Sequence, residues 1–332
     1  MRLALALALL LALLRSAFAQ GPAPNIASPL LNLGALGGGQ AATPAPPPLP
    51  PRADGKPADL AFGAYQRGNF LFALEEAERR IDANPKDAAA ITLVGVIYRD
   101  GAAVGRNERE ASKWFRIASD LGDPQAAFEL GALLLEGANG VPKDLAGAKE
   151  QFERAAAKNH PAALYNLGVM ALGSKPPDYA KAAQYFLLAA QAGDDNAAYS
   201  YGVMERDGKG VPQNLADGVR WLKRAADAGF IAGQVEYAIM LFNGVGVPKD
   251  EPGAVQILKI AAARGNPIAQ NRLAHLYVAG RVVERDLARA AAWNAFAKAR
   301  GLTDEGLDAE TANLTADERN RFTQIVRERM GF

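Results

Sequence analysis

Cysteine is absent from all 332 residues. Its absence excludes disulfides, thiolate metal sites, thiol nucleophiles and lipid attachment through a processed cysteine. Histidine is scarce: His160 and His275 are the two copies. Neither stands in a His/Asp/Glu cluster with ligand spacing, so each reads as a solvated polar residue and no metal is expected. No excess charge of one sign exists either, with 37 basic against 36 acidic residues. A nucleic-acid binder needs a basic stripe to release counterions from phosphates, and no such run occurs, so nucleic acid is not an expected partner. Ser112, Ser119, Ser174 and Ser200 lie outside any G-x-S-x-G elbow, which leaves nucleophilic catalysis without a candidate. The neighbouring acids Glu75-Glu76 and Asp194-Asp195 diverge on a helix or cap a turn. No enzyme activity and no cofactor are expected.

Long apolar runs are also rare, and the one present is N-terminal. Residues 1–19, "MRLALALALLLALLRSAFA", combine Arg2, an apolar run Leu3–Leu14 and the cleavage signature Ala17-Phe18-Ala19. This pattern predicts a cleaved signal peptide and a periplasmic or secreted mature protein. A bilayer span needs about 20 apolar residues, whereas Arg15 interrupts this run, so no stable membrane insertion is expected after cleavage. Losing Arg2 and Arg15 leaves 35 basic against 36 acidic residues, a mature net charge of −1. Residues 20–57 are rich in Pro, Gly and Ala and nearly uncharged, a composition that cannot make a core and predicts a disordered spacer.

What the chain has in abundance is repetition. Nearly the same loop occurs as "NGVPKD" from Asn139, "KGVPQN" from Lys209 and "VGVPKD" from Val245. Gly-rich turns before helices can bind phosphate, yet a phosphate loop has no reason to recur about every 36 residues, and the G-x-x-x-x-G-K-[ST] spacing is missing. The loops read as helix stops followed by helix starts. Asn107, Asp144, Asp178, Asn214, Asp250 and Asp286 follow one another at spacings of 37, 34, 36, 36 and 36 residues, and all are N-cap types. Asn107 with Glu110, and Thr315 with Glu318, have the spacing of a capping box.

Other columns keep the same register. Every second helix has an alanine at Ala118, Ala155, Ala189, Ala225, Ala261 or Ala297, and the first helices carry small residues such as Ala90 and Gly95 in every copy. Small side chains let helix axes approach, so these columns mark helix–helix contacts. Large apolar columns fill the spaces between, among them Trp114, Tyr185, Trp221, Ile257 and Trp293, which read as core rather than as a cofactor box.

Units with A-x-x-x-L-G, G-x-G-V-P-K-D and A-x-x-W-[FL]-x-[RK]-A-A in succession resemble the Sel-one-like repeat, a variant of the tetratricopeptide repeat. Six copies cover residues 88–301; residues 58–87 resemble an ordinary tetratricopeptide repeat, and 302–332 read as C-terminal capping helices. The expected fold is all-α, a superhelical solenoid of antiparallel helix pairs with about sixteen helices over 58–330. The resemblance implies a non-enzymatic adaptor. Some exported bacterial members regulate membrane sensor kinases or envelope assembly; the alternative is an architectural protein that binds peptidoglycan or polysaccharide.

In repeats of this type the first helices line the concave surface. Positions there that packing leaves free vary between copies, and we assign Asn166, Val169, Val203, Glu236, Ile239 and Arg272 to a groove for a protein or peptide partner. A monomer is expected.

Overall fold

The computed structural model describes residues 59–330; the signal-peptide and spacer expectations for residues 1–57 lie outside the described residues. Sixteen helices follow one another in this order: α1 Leu60–Gln66, α2 Phe70–Ala83, α3 Ala88–Asp100, α4 Glu108–Asp120, α5 Pro124–Glu136, α6 Leu145–Ala156, α7 Pro161–Leu172, α8 Tyr179–Gln191, α9 Asp195–Asp207, α10 Leu215–Asp227, α11 Ile231–Asn243, α12 Glu251–Ala263, α13 Pro267–Ala279, α14 Leu287–Lys298, α15 Glu305–Glu310 and α16 Ala316–Met330. No strand occurs among the described residues beyond one isolated bridge between Ala138 and Val141. Each helix up to α15 packs on the one before it and α16 packs on α14, which with short turns gives the all-α solenoid of helix pairs.

Helices of 12–14 residues are marginal alone, so packing must hold them. The second-helix alanines Ala118 through Ala297 are fully buried, as are Ala90, Ala126, Ala163, Ala197 and Ala269 on the first helices. These two columns meet between units: a methyl group on Gly233 of α11 would stand 2.9 Å from the Cβ of Ala225 on α10. Within each unit the first helix approaches its own partner through Gly95, Gly131 and Gly168, which lie against Phe115, Phe152 and Phe186. Where the facing residue is Leu258 or Asn294 the small residue is Ala238 or Ala274. The buried ring column is therefore one residue beyond the tryptophan column, whose members are only half-buried at the margin of the apolar clusters. The core expectation for Trp114, Trp221 and Trp293 is corrected accordingly: Phe115, Phe152 and Phe186 fill the interior.

All six Asx residues cap second helices, each accepting from a first-turn amide. The capping box at Asn107 is only half made. Glu110 donates its amide to Asn107 Oδ1 at 3.1 Å but its carboxylate takes Lys113, because the Asn107 amide already donates to the Tyr98 carbonyl. Thr315 and Glu318 complete theirs. Loop glycines do more than permit a positive φ. A side chain on Gly210 or Gly246 would collide with the carbonyl of Tyr179 or Leu215 at the start of the preceding second helix. The same register position in the last unit is Val282, held at φ 66°.

Units are also tied by side chains that reach back one repeat. Arg224 donates to the Ala190 carbonyl at 2.7 Å, Arg264 to the Gly229 carbonyl at 2.6 Å, and Arg154 pairs with Asp120 at 2.7 Å. At the C-terminal end, α15 buries Leu307 completely. Asp308 there receives Asn294 and Lys298, and Asp304 receives Asn271 and His275 at 2.9 and 2.8 Å.

Candidate functional site

The first helices α7, α9, α11 and α13 carry the predicted groove residues in two registers one turn apart. Val169, Val203 and Ile239 occupy the same position on α7, α9 and α11, and all three are half-buried against the apolar clusters. They form an apolar row whose outer atoms reach solvent. The register one turn earlier is polar and less uniform. Asn166 is only 8% exposed and turns its amide onto the Ala162 carbonyl at 2.8 Å, so its side chain is committed to its own helix. Glu236 pairs with Arg206 of α9 at 2.5 Å. Arg272 is exposed and makes no hydrogen bond or ion pair among the described residues.

Arg206 was not among the residues singled out by sequence, although it dominates this surface. It bridges α9 to α11 through Glu236 and also holds Asp207 at 2.8 Å, and burial offset by these acids leaves its pKa raised. Arg99 makes the same bridge from α3 to Glu129 on α5. Both pairs span 30 residues, and Arg and Glu in the same two columns of the period were the available signal. Tyr165 and Tyr199 flank the apolar row in a third shared register. Burial pushes both hydroxyls up to about 12, so they stay neutral. Tyr199 meets Phe230 edge to face at 5.0 Å.

The histidines have structural roles. His160 caps α7 through Nδ1, its Nε2 lies 3.0 Å from Gln125 Oε1, and its ring stacks on Phe128 at 4.7 Å. Burial pushes its pKa down. Rather than a solvated turn residue, it is a cap tied to the preceding first helix. Among the described residues no group of three or more His, Asp or Glu could hold a metal ion, and no helix is long and apolar enough to cross a membrane. The surface offers an apolar row with the fixed Arg206–Glu236 pair beside it, which suits recognition of a polypeptide segment with alternating apolar and charged groups.

Comparison with known proteins agrees with the repeat register. A family model described as the Sel1 repeat matches residues 88–123, 124–160, 161–194, 195–230, 231–266 and 267–299. Among solved structures, a Sel1 repeat protein from Oxalobacter formigenes is 26% identical, with a TM-score of 0.58 over 74% of this chain and 100% of that one. A protective antigen present in uropathogenic Escherichia coli strains, displaying an SLR fold, is 24% identical with a TM-score of 0.62, over 82% of this chain and 68% of that one.

Proposed function

The chain belongs to the Sel1 repeat family, and on that premise we propose that it is a non-enzymatic scaffold of the bacterial cell envelope that holds an amphipathic segment of a partner protein in its first-helix groove. Sel1 repeat proteins generally mediate protein–protein interaction. The observation that carries the groove reading is the half-buried row Val169, Val203 and Ile239 beside the fixed Arg206–Glu236 pair. An apolar strip desolvates the contact, while oriented charges at its edge fix register and select against wrong partners. The envelope location rests on the signal-like residues 1–19. Regulation of a membrane sensor or of an envelope assembly complex is the role that this location and fold suit.

A pull-down from envelope extracts, with the protein from residue 20 onward as bait, tests the reading. Val203→Asp with Ile239→Asp should lose the captured protein, with binding at least tenfold weaker, as expected for central interface residues, while circular dichroism stays helical. Unchanged affinity in a folded double variant rules the groove out. Capture of peptidoglycan or polysaccharide instead of protein would replace the scaffold reading with an architectural one.

A further inference from the structure

Glu205 breaks an apolar column. It stands on α9 in the register that the other first helices fill with Tyr98, Leu134, Ala171, Leu241 and Tyr277. It is only 9% exposed, and its Oε2 is buried without a hydrogen-bond partner among the described residues. An unpartnered buried carboxylate oxygen is costly compared with the leucine or tyrosine used elsewhere. Its inward contact is the Tyr201 hydroxyl, which leaves Oε2 open and the charge without a cation, and a residue that violates the local pattern in this way points to a role outside the fold.

This carboxylate lies in a cleft of about 450 Å³ between the second helices α8 and α10, walled by Leu187, Tyr201, Asp217, Arg220, Trp221 and Arg224. Tyr201 and Trp221 meet edge to face at 5.8 Å. The other charges in and around the cleft are already paired. Arg220 holds Asp217 at 2.6 Å; Arg224 holds Asp195 at 3.4 Å and the Ala190 carbonyl at 2.7 Å. Three acids thus face two arginines, and Glu205 is the one left without a cation. Burial raises its pKa, the Tyr201 hydroxyl lowers it, and the charge that acts on it is the acid Asp217.

We propose that this cleft binds a basic side chain of a partner protein, its ammonium or guanidinium donating to Glu205 Oε2 and its aliphatic stem lying along Tyr201 and Trp221. A cation supplies the missing charge and a charge-assisted hydrogen bond. The aromatic walls add contact with the stem, Tyr201 by its ring and Trp221 beside the Arg224 guanidinium that already lies 5.7 Å from its centroid. An anion would meet an unpaired acid, and a neutral apolar side chain would leave Oε2 unsatisfied. The site is separate from the groove and does not depend on it.

The test uses Nα-acetyl-lysine methylamide as probe and the indole N–H of Trp221 as reporter, assigned among the three tryptophans with Trp221→Phe. A saturable shift is expected at neutral pH, weakening as Glu205 is protonated, and the norleucine analogue should give none. Glu205→Gln should bind the probe about tenfold more weakly or worse, the effect of losing one charged hydrogen bond. Glu205→Leu restores the residue of a neighbouring unit, so it should fold and show no shift. No shift in the parent protein, an equal shift with norleucine, or a lysine shift retained in both variants overturns the proposal.

Discussion

A methyl group on Gly168 would stand 2.6 Å from Cε1 of Phe186, so the ring occupies the space that a side chain on the neighbouring helix would need. Three units pair glycine with a ring; in the fifth unit the same two columns hold Ala238 and Leu258, while in the fourth Gly202 lies against Leu222. Gly168→Ala should therefore destabilise despite the better helix propensity of alanine, by about 1–2 kcal/mol net of that gain. Combining it with Phe186→Leu rebuilds the pairing of the fifth unit and should recover more than half of the loss. Guanidinium midpoints of the two variants decide this.

Val282 should be replaceable with profit. Its φ of 66° puts a β-branched residue in the left-handed region, at a register position where Gly210 and Gly246 stand in earlier units. Such strain costs on the order of 1–3 kcal/mol, and glycine gives back somewhat less than 1 kcal/mol through the freedom of the unfolded chain. Val282→Gly is expected to raise the melting temperature; a drop would mean that the valine side chain contributes packing greater than its strain.

Acid should loosen the C-terminal cap before the repeats. Hydrogen bonds from Asn271, the Leu307 amide and His275 hold the Asp304 carboxyl down to about 2, from an ordinary 3.8. A depressed folded-state pKa means stabilisation that is complete above about pH 4 and is lost as pH falls through about 2. Amide exchange over residues 302–312 should accelerate in that window, and Asp304→Asn should reduce the dependence, leaving the part that Asp308 contributes through Lys298 and Asn294.

The proposed export makes a plain demand on the chain. Signal cleavage after Ala19 would leave Gln20 as the first residue. Mass spectrometry of protein recovered outside the cytoplasm should find that terminus; intact residues 1–19 on cytosolic protein would overturn the localisation.

Much of the fold was legible because repeats print the same physical requirement many times. Six Asx caps and two alanine columns recur at a fixed offset, and each recurrence reduces the alternatives. The interior rings were harder to place. Phe152 sits beside Gln151 in sequence, and the eye follows the larger tryptophans, yet a half-buried indole serves the edge of a cluster while phenylalanine, with no polar atom, can go to the centre. The groove was only partly legible: periodicity aligns Val169, Val203 and Ile239, but it does not say that Asn166 turns onto its own helix or that Arg206 crosses to Glu236. Glu205 was visible as the sole acid in an apolar column, a signal that appears only when each column is checked for its exception.

Arg224, Arg264 and Arg154 each bond to the unit before their own. These links have a direction, whereas Arg99 and Arg206 reach the other way, to Glu129 and Glu236 of the following unit. In synthesis the N-terminal unit emerges first with acceptors still open, and the next unit satisfies them as it leaves the ribosome. Each repeat thus completes its predecessor, so partial chains are poised to grow toward the C-terminus and are closed off by α15 and α16 rather than by any internal unit.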